Sequence, residues 1–282
     1  MRTSLKYINK QLVDLYPETE IRSFWLLIME QLTGCSRMEI LTNKNNILSA
    51  EQNQKVKTII ERLKKAEPIQ YILGETEFFS LPFYVDENVL IPRPETEELV
   101  DWVLNDNQNC KGKILDIGTG SGCIAISLAK NLPNAHVTAF DISEEAIAVA
   151  KRNASRNEVE VNFQPVDVLS PDFFKKEDSE TFDIIISNPP YVCEREKAGM
   201  QTNVLKYEPH LALFVDDNDP LLFYRQIALF AHQHLISNGK LFFEINQAYG
   251  KKTVKLLVDL GFSDVCLRKD ISGKNRMIKA IR

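Results

Sequence analysis

From residue 113 onward, short apolar segments alternate with helical ones, and this alternation restricts the fold more than any other feature of the chain. Strands are predicted at 113–117, 136–140, 161–166, 182–187 and 240–245, with helical patterns between them, including 143–155 and 221–235. Continuously apolar strands joined through helices belong to a mostly parallel sheet covered on both faces. Two further runs, 265–268 and 277–281, flank Ser272-Gly273 and read as an antiparallel closing hairpin. The expected class is therefore α/β, a doubly wound, mostly parallel seven-stranded sheet with an antiparallel C-terminal hairpin.

The residues before this region have a different texture. Leu5, Ile8, Leu12 and Leu15 recur at helical spacing, as do Phe24, Leu27, Ile28 and Leu32, which Gly34 stops. Ser49 and Gln52 have the form of a capping box ahead of the stripe Val56, Ile59, Ile60 and Leu63. A small helical domain is expected over 1–74. Residues 69–93 are rich in aromatic and β-branched side chains broken by Gly and Pro, and read as short strands or a hairpin; 75–93 is taken as a linker and 94–282 as the second domain. Pro94 suits the first turn of a helix, with Glu95, Glu97 and Glu98 near its positive end.

Composition excludes several classes. The 282 residues are 44% hydrophobic and 26% charged, as in an ordinary globular protein. Residues 1–74 carry 11 Lys/Arg against 8 Asp/Glu, and 75–282 carry 23 against 31. An acidic second domain argues against binding through nucleic-acid phosphates. Five scattered cysteines and four histidines form neither a paired Cys motif nor a metal pattern, so no disulfide framework and no metal are expected. The N-terminus lacks the apolar core of a signal peptide, and no apolar run nears the ~20 residues of a membrane span. A cytoplasmic protein with no membrane contact is expected.

Two motifs carry the chemistry. Asp116-Ile117-Gly118-Thr119-Gly120-Ser121-Gly122 joins the first strand of the α/β region to a helix. Glycines there let the backbone turn tightly and approach a ligand with no Cβ in the way. The spacing is not that of dinucleotide binders, since Cys123 stands where the third glycine would be, and no P-loop lysine follows. Asp141, just after the second strand, is placed to accept hydrogen bonds from ribose hydroxyls, because Ser143 can itself cap the next helix. Asp167 follows the third strand at the same edge.

The second motif is Asn188-Pro189-Pro190-Tyr191, which ends the fourth strand because proline cannot continue a central ladder. The Asn188 side-chain oxygen and the carbonyl before or within Pro189 are acceptors, and Tyr191 offers a flat face. That set suits a planar NH₂ attached to a carbonyl or an aromatic ring. Holding both N–H bonds aims the nitrogen lone pair at an electrophile without a strong base.

The glycine loop, Asp141 and Asp167 together resemble the S-adenosylmethionine-binding half of class I methyltransferases. The resemblance implies that the glycine loop approaches the methionine moiety, that Asp141 takes the ribose, and that Asp167 and Val168 border the adenine. Motifs of the N-P-P-Y type serve enzymes acting on exocyclic base amines as well as on glutamine amides. Four further segments, 67–71, 74–79, 90–97 and 207–209, look like the bacterial peptide chain release factor N5-glutamine methyltransferase family, and the likeness covers 67–282. It implies S-adenosyl-L-methionine as cofactor and S-adenosyl-L-homocysteine as product. The implied substrate is the glutamine of the Gly-Gly-Gln motif of release factors, its amide held by Asn188 and the Pro189 carbonyl with Tyr191 beside it. Residues 91–95 would lie at the active-site mouth, ordered by Arg93, unless Arg93 simply pairs with Glu95 or Glu97. A monomer needing no nucleic acid is expected, with residues 1–74 docking the protein substrate. The alternatives are a DNA or RNA amine methyltransferase, or a non-catalytic scaffold.

Overall fold

The computed structural model describes residues 2–42, 48–171, 173 and 180–282. The chain divides into two compact units, Met1–Gly74 with Gln201–Tyr207, and Glu75–Met200 with Glu208–Arg282.

The first unit is helical: α1 (Arg2–Leu12), α2 (Glu18–Thr33), α3 (Arg37–Thr42), α4 (Ala50–Leu63) and α5 (Ile69–Leu73). Ile8, Leu12, Ile21, Ile28, Val56 and Ile60 from three of these helices form its buried core. Gly34 ends α2 in the left-handed conformation, φ 67°, and donates to the Glu30 carbonyl. Both arms of the Ser49–Gln52 capping box are present, at 3.1 Å and 2.8 Å. Two expectations fail here. Leu15 continues the α1 stripe in sequence but lies beyond the helix end and is exposed. Residues 69–73 form a helical turn, not a strand: a five-residue apolar run has no period of its own, and the Arg62 guanidinium accepts that geometry by donating to the Ile72 carbonyl at 3.2 Å.

The second unit opens with the hairpin β1 (Glu75–Phe78) and β2 (Leu81–Tyr84), then α6 (Pro94–Asp106). There follow β3 (Lys113–Ile117), α7 (Cys123–Asn131), β4 (His136–Asp141), α8 (Glu144–Arg156), β5 (Asn162–Pro165), β6 (Phe182–Ser187) and the short β7 (Val192–Cys193). After α9 (Thr202–Tyr207), which belongs to the helical unit, come β8 (Phe214–Val215), α10 (Leu222–His234), β9 (Leu235–Glu244), α11 (Gly250–Asp259), β10 (Ser263–Lys269) and β11 (Asn275–Ile281).

Seven strands form one sheet in the order β10-β11-β9-β6-β3-β4-β5. The five strands from β9 to β5 run parallel, and β11 and β10 close the edge antiparallel, as expected. Alternate residues serve opposite faces. Ile114, Ile184 and Phe242 pack under α6 and α7, whereas Leu115, Ile185 and Phe243 pack under α10 and α11. Each fully buried apolar side chain of this kind contributes about 1.5–3 kcal/mol.

The strand order places the site. From β3 the chain winds outward through β4 to β5, then returns to lay β6 on the other side of β3. This reversal opens a crevice at the carboxyl ends of β3 and β6, where doubly wound sheets bind ligands. Ile117 and Ser187 are register partners there, and the Ser187 hydroxyl donates to the Ile117 carbonyl at 2.6 Å. The glycine loop and Asn188-Pro189-Pro190 thus leave the sheet side by side.

Candidate active site

A cleft of ≈ 290 Å³ lies over this edge, lined by Gly118–Ser121, Asp141, Asp167–Leu169, Asn188–Pro190, Thr96 and residues 87–93. Its size is at the lower end of small-molecule sites.

The glycine loop is built by hydrogen bonds from its own neighbourhood. The Gly118 and Thr119 amides donate to the Phe140 carbonyl at 2.8 and 3.0 Å, and the Gly120 amide donates to the Asp141 carboxylate at 2.8 Å. Gly118, Gly120 and Gly122 have φ of 76°, 54° and 81°, a region where side chains are strained. Their surroundings differ. A Cβ on Gly118 or Gly120 would meet nothing within 4 Å, whereas one on Gly122 would strike Ile126 Cδ1 at 2.8 Å and Ala150 Cβ at 3.1 Å. The first two leave the cleft clear for a ligand, and the third lets α7 pack against α8.

Asp141 holds the loop with one oxygen and the Ser143 amide with the other, at 3.0 Å, while the Ser143 hydroxyl caps α8. Burial raises its pKa despite these amide bonds. Asp167 also lines the cleft, with its carboxylate accepting from the Leu169 amide at 2.8 Å. Val168 lines the cleft beside it. Asp116 does not line it. Its side chain is fully buried beneath the loop and accepts from the Thr119 hydroxyl at 2.6 Å. Burial pushes it up to about 7, the Thr119 bond opposing.

The opposite side of the cleft is assembled from distant segments. Asn188, Pro189 and Pro190 face the cleft. Asn188 Nδ2 donates to Thr96 Oγ1 at 3.3 Å, and Thr96 Oγ1 donates to Glu244 Oε2 at 2.6 Å. Tyr191 departs from the expected stacking position, lying outside the cleft lining. Its hydroxyl donates to Glu244 Oε1 at 3.0 Å and accepts from Arg276 at 3.4 Å. Burial drives the pKa of Tyr191 upward, as it does that of Glu244. Arg93 pairs with neither Glu95 nor Glu97; its partner is the buried Glu208, at 2.6 Å, which also accepts from the Ile91 amide at 3.3 Å. Glu97 instead accepts from the Phe79 amide at 2.7 Å, steadying a hairpin turn in which Phe79 and Ser80 both have positive φ.

Thr96, Glu208, Glu244 and Arg276 lie within the stretch that carries the family likeness, yet the motifs assign them no role. Glu244 carried a signal, a carboxylate inside the apolar run 241–245, since a buried charge needs a partner. Among the described residues, no cluster of three or more His, Cys, Asp or Glu is placed to hold a metal, and no helix is long and apolar enough to cross a membrane.

Comparison with known proteins matches residues 4–74 to the PrmC N-terminal domain and residues 96–208 to the methyltransferase small domain. The chain is 52% identical to a release factor glutamine methyltransferase of Flavobacterium psychrophilum, over 95% of this chain and 94% of the relative. It is 49% identical to one of Bacteroides thetaiotaomicron, over 98% of each. A crystal structure of a methyltransferase from Pyrococcus furiosus shares the fold, with TM-score 0.52 and 19% identity over 83% of this chain and 98% of that one. With its cleft at the β3–β6 crevice and near-full-length identity to these relatives, the chain belongs to the release factor glutamine methyltransferase family.

Proposed function

We infer that the cleft transfers a methyl group to the side-chain amide nitrogen of a glutamine in peptide chain release factors, the glutamine being that of their Gly-Gly-Gln motif. The observation that carries this reading is the pairing of Ile117 with Ser187, which brings Asn188-Pro189-Pro190 beside the glycine loop at one crevice. S-adenosyl-L-methionine, bound there, supplies a methyl group on a sulfonium, which leaves as S-adenosyl-L-homocysteine.

Gly118 and Gly120 admit the amino-acid end of that cofactor, because neither presents a Cβ to the cleft. Asp141 accepts from the ribose hydroxyls, and the backbone at Asp167–Val168 borders the adenine. Asn188 Oδ1 and the Pro189 carbonyl accept the two N–H bonds of the glutamine amide. Fixing both bonds draws nitrogen electron density out of conjugation as the lone pair attacks, and the N–H proton, acidic once the methyl is attached, is lost to water. Positioning therefore supplies most of the rate. The Arg93–Glu208 pair braces the mouth, and residues 1–74 dock the body of the protein substrate in the cytoplasm.

The test is incubation of the purified protein with labelled S-adenosyl-L-methionine and either a release factor or nucleic acid, followed by mass analysis of the Gly-Gly-Gln peptide. Label on that glutamine is expected; label on nucleic acid alone overturns the reading. Charge reversal of exposed lysines in residues 1–74 is expected to lower kcat/KM for the full-length factor and not for a short Gly-Gly-Gln peptide.

A further inference from the structure

We infer that Thr96 and Glu244 are positioning residues that decide which end of the Asn188 carboxamide faces the cleft, an inference that rests on the methyl-transfer reading above. A threonine or tyrosine hydroxyl has one hydrogen to give, a carboxylate has none, and a carboxamide can present either its oxygen or its NH₂. Glu244 receives two hydroxyls, Thr96 on Oε2 at 2.6 Å and Tyr191 on Oε1 at 3.0 Å. Having spent its hydrogen on Glu244, Thr96 has only lone pairs left for Asn188. Asn188 must meet them with Nδ2, as it does at 3.3 Å. Its Oδ1 is therefore turned away from Thr96 and toward the cleft.

The opposite orientation fails on both sides. It would set the Asn188 oxygen against the lone pairs of Thr96 and show an NH₂ to a substrate NH₂, leaving two donors face to face. Thr96 and Glu244 are only 2% and 1% exposed, so bulk water is not at hand to repair such a mismatch. The same carboxylate also holds Tyr191, so both ends of the Asn188–Tyr191 tetrapeptide converge on Glu244, a residue 53 or more positions away. Arg276, salt-bridged to the buried Asp270 at 3.2 Å, completes the chain by donating to the Tyr191 hydroxyl.

The experiment compares Thr96→Val, which removes the hydroxyl at nearly constant shape, with Thr96→Ser, which restores it. Each is measured for kcat and KM on a full-length release factor and for S-adenosyl-L-methionine affinity by calorimetry. For Thr96→Val, kcat is expected to fall roughly 10- to 100-fold, the loss typical of a mispaired buried polar group, with cofactor Kd within about twofold of wild type. Thr96→Ser should recover most of that loss. Glu244→Gln, which places donor hydrogens where the network needs acceptors, should reproduce it, and this variant carries the test if Thr96→Val does not fold. Wild-type kcat in Thr96→Val, or equal impairment in Thr96→Ser, overturns the relay alone. Equal losses in kcat and cofactor affinity likewise overturn it. A wild-type protein that transfers no methyl to release factor overturns the functional reading and the relay with it.

Discussion

The two walls of the cleft are held by opposite means. On the glycine-loop side, the bonds that shape the wall are short in sequence: Thr119 to Asp116 spans 3 residues, and Gly120 to Asp141 spans 21. Its conformation is stored in backbone torsions that glycine alone adopts without strain. On the other side, Asn188 reaches Thr96 across 92 residues, Tyr191 reaches Glu244 across 53, and Arg276 reaches Tyr191 across 85. That wall is a side-chain network that exists only once α6, β6, β9 and β11 are in place. One wall comes with its motif, whereas the other is a product of topology, and the two should respond differently to substitution.

The sharpest separation is expected from Asn188→Ala. Removing the amide acceptor should lower kcat by roughly 10²–10³-fold, the range for losing one group that stabilises a transition state. Calorimetry should find cofactor affinity little changed; parallel losses would mean the walls do not act separately. Asp141→Ala should show the mirror image, with cofactor Kd raised roughly 10- to 100-fold by loss of a charge-assisted acceptor and kcat at saturation nearly retained. An unchanged Kd would remove Asp141 from the cofactor wall.

Within the glycine loop, Gly122→Ala and Gly120→Ala share the strain of positive φ but differ in surroundings. The clash with Ile126 and Ala150 should make Gly122→Ala the less stable in urea, by about 1–3 kcal/mol. Gly120→Ala should be distinguished by weaker cofactor binding. Equal stability of the two variants would contradict the division between a ligand-facing and a packing glycine.

The most gradual effect is on pH dependence. Asp116 has a folded pKa of about 7, above its ordinary 3.8. A raised carboxyl pKa means the folded state holds the proton more tightly, so this contribution is complete below the ordinary value and is lost as pH climbs toward 7. Stability should therefore decline between about pH 4 and pH 7, at no more than about 1.4 kcal/mol per pH unit from this one group. Asp116→Asn should flatten the decline without abolishing it, because Asp141 and Glu244 are raised in the same sense. A urea-melt series with identical slopes in both proteins would show that Asp116 does not titrate in this window.

Sequence reading succeeded where the decisive interactions lie within one motif. The Ser49–Gln52 box, the left-handed stop at Gly34, the Ser143 cap and the glycine loop each depend on residues a few positions apart. It failed where periodicity does not mark the end of an element or where a partner elsewhere decides. Residues 69–73 turn helical with Arg62 bonded to their carbonyls, and Leu15 falls past the end of its helix although the stripe runs on through it. Tyr191, a candidate stacking face in sequence, lies outside the cleft lining with its hydroxyl held by Glu244. Arg93 passes over its sequence neighbours Glu95 and Glu97 for Glu208, 115 residues away.

Periodicity, turn chemistry and backbone freedom act over a handful of residues, so the sequence alone determined the strand and helix alternation, the glycine loop and the end of β6 at Asn188. What tertiary structure decided was the company those pieces keep: β6 beside β3, Glu244 beneath Thr96 and Tyr191, Glu208 beneath Arg93. Hydrogen bonds and ion pairs depend on distance in space, and only the folded sheet brings such residues within reach of one another.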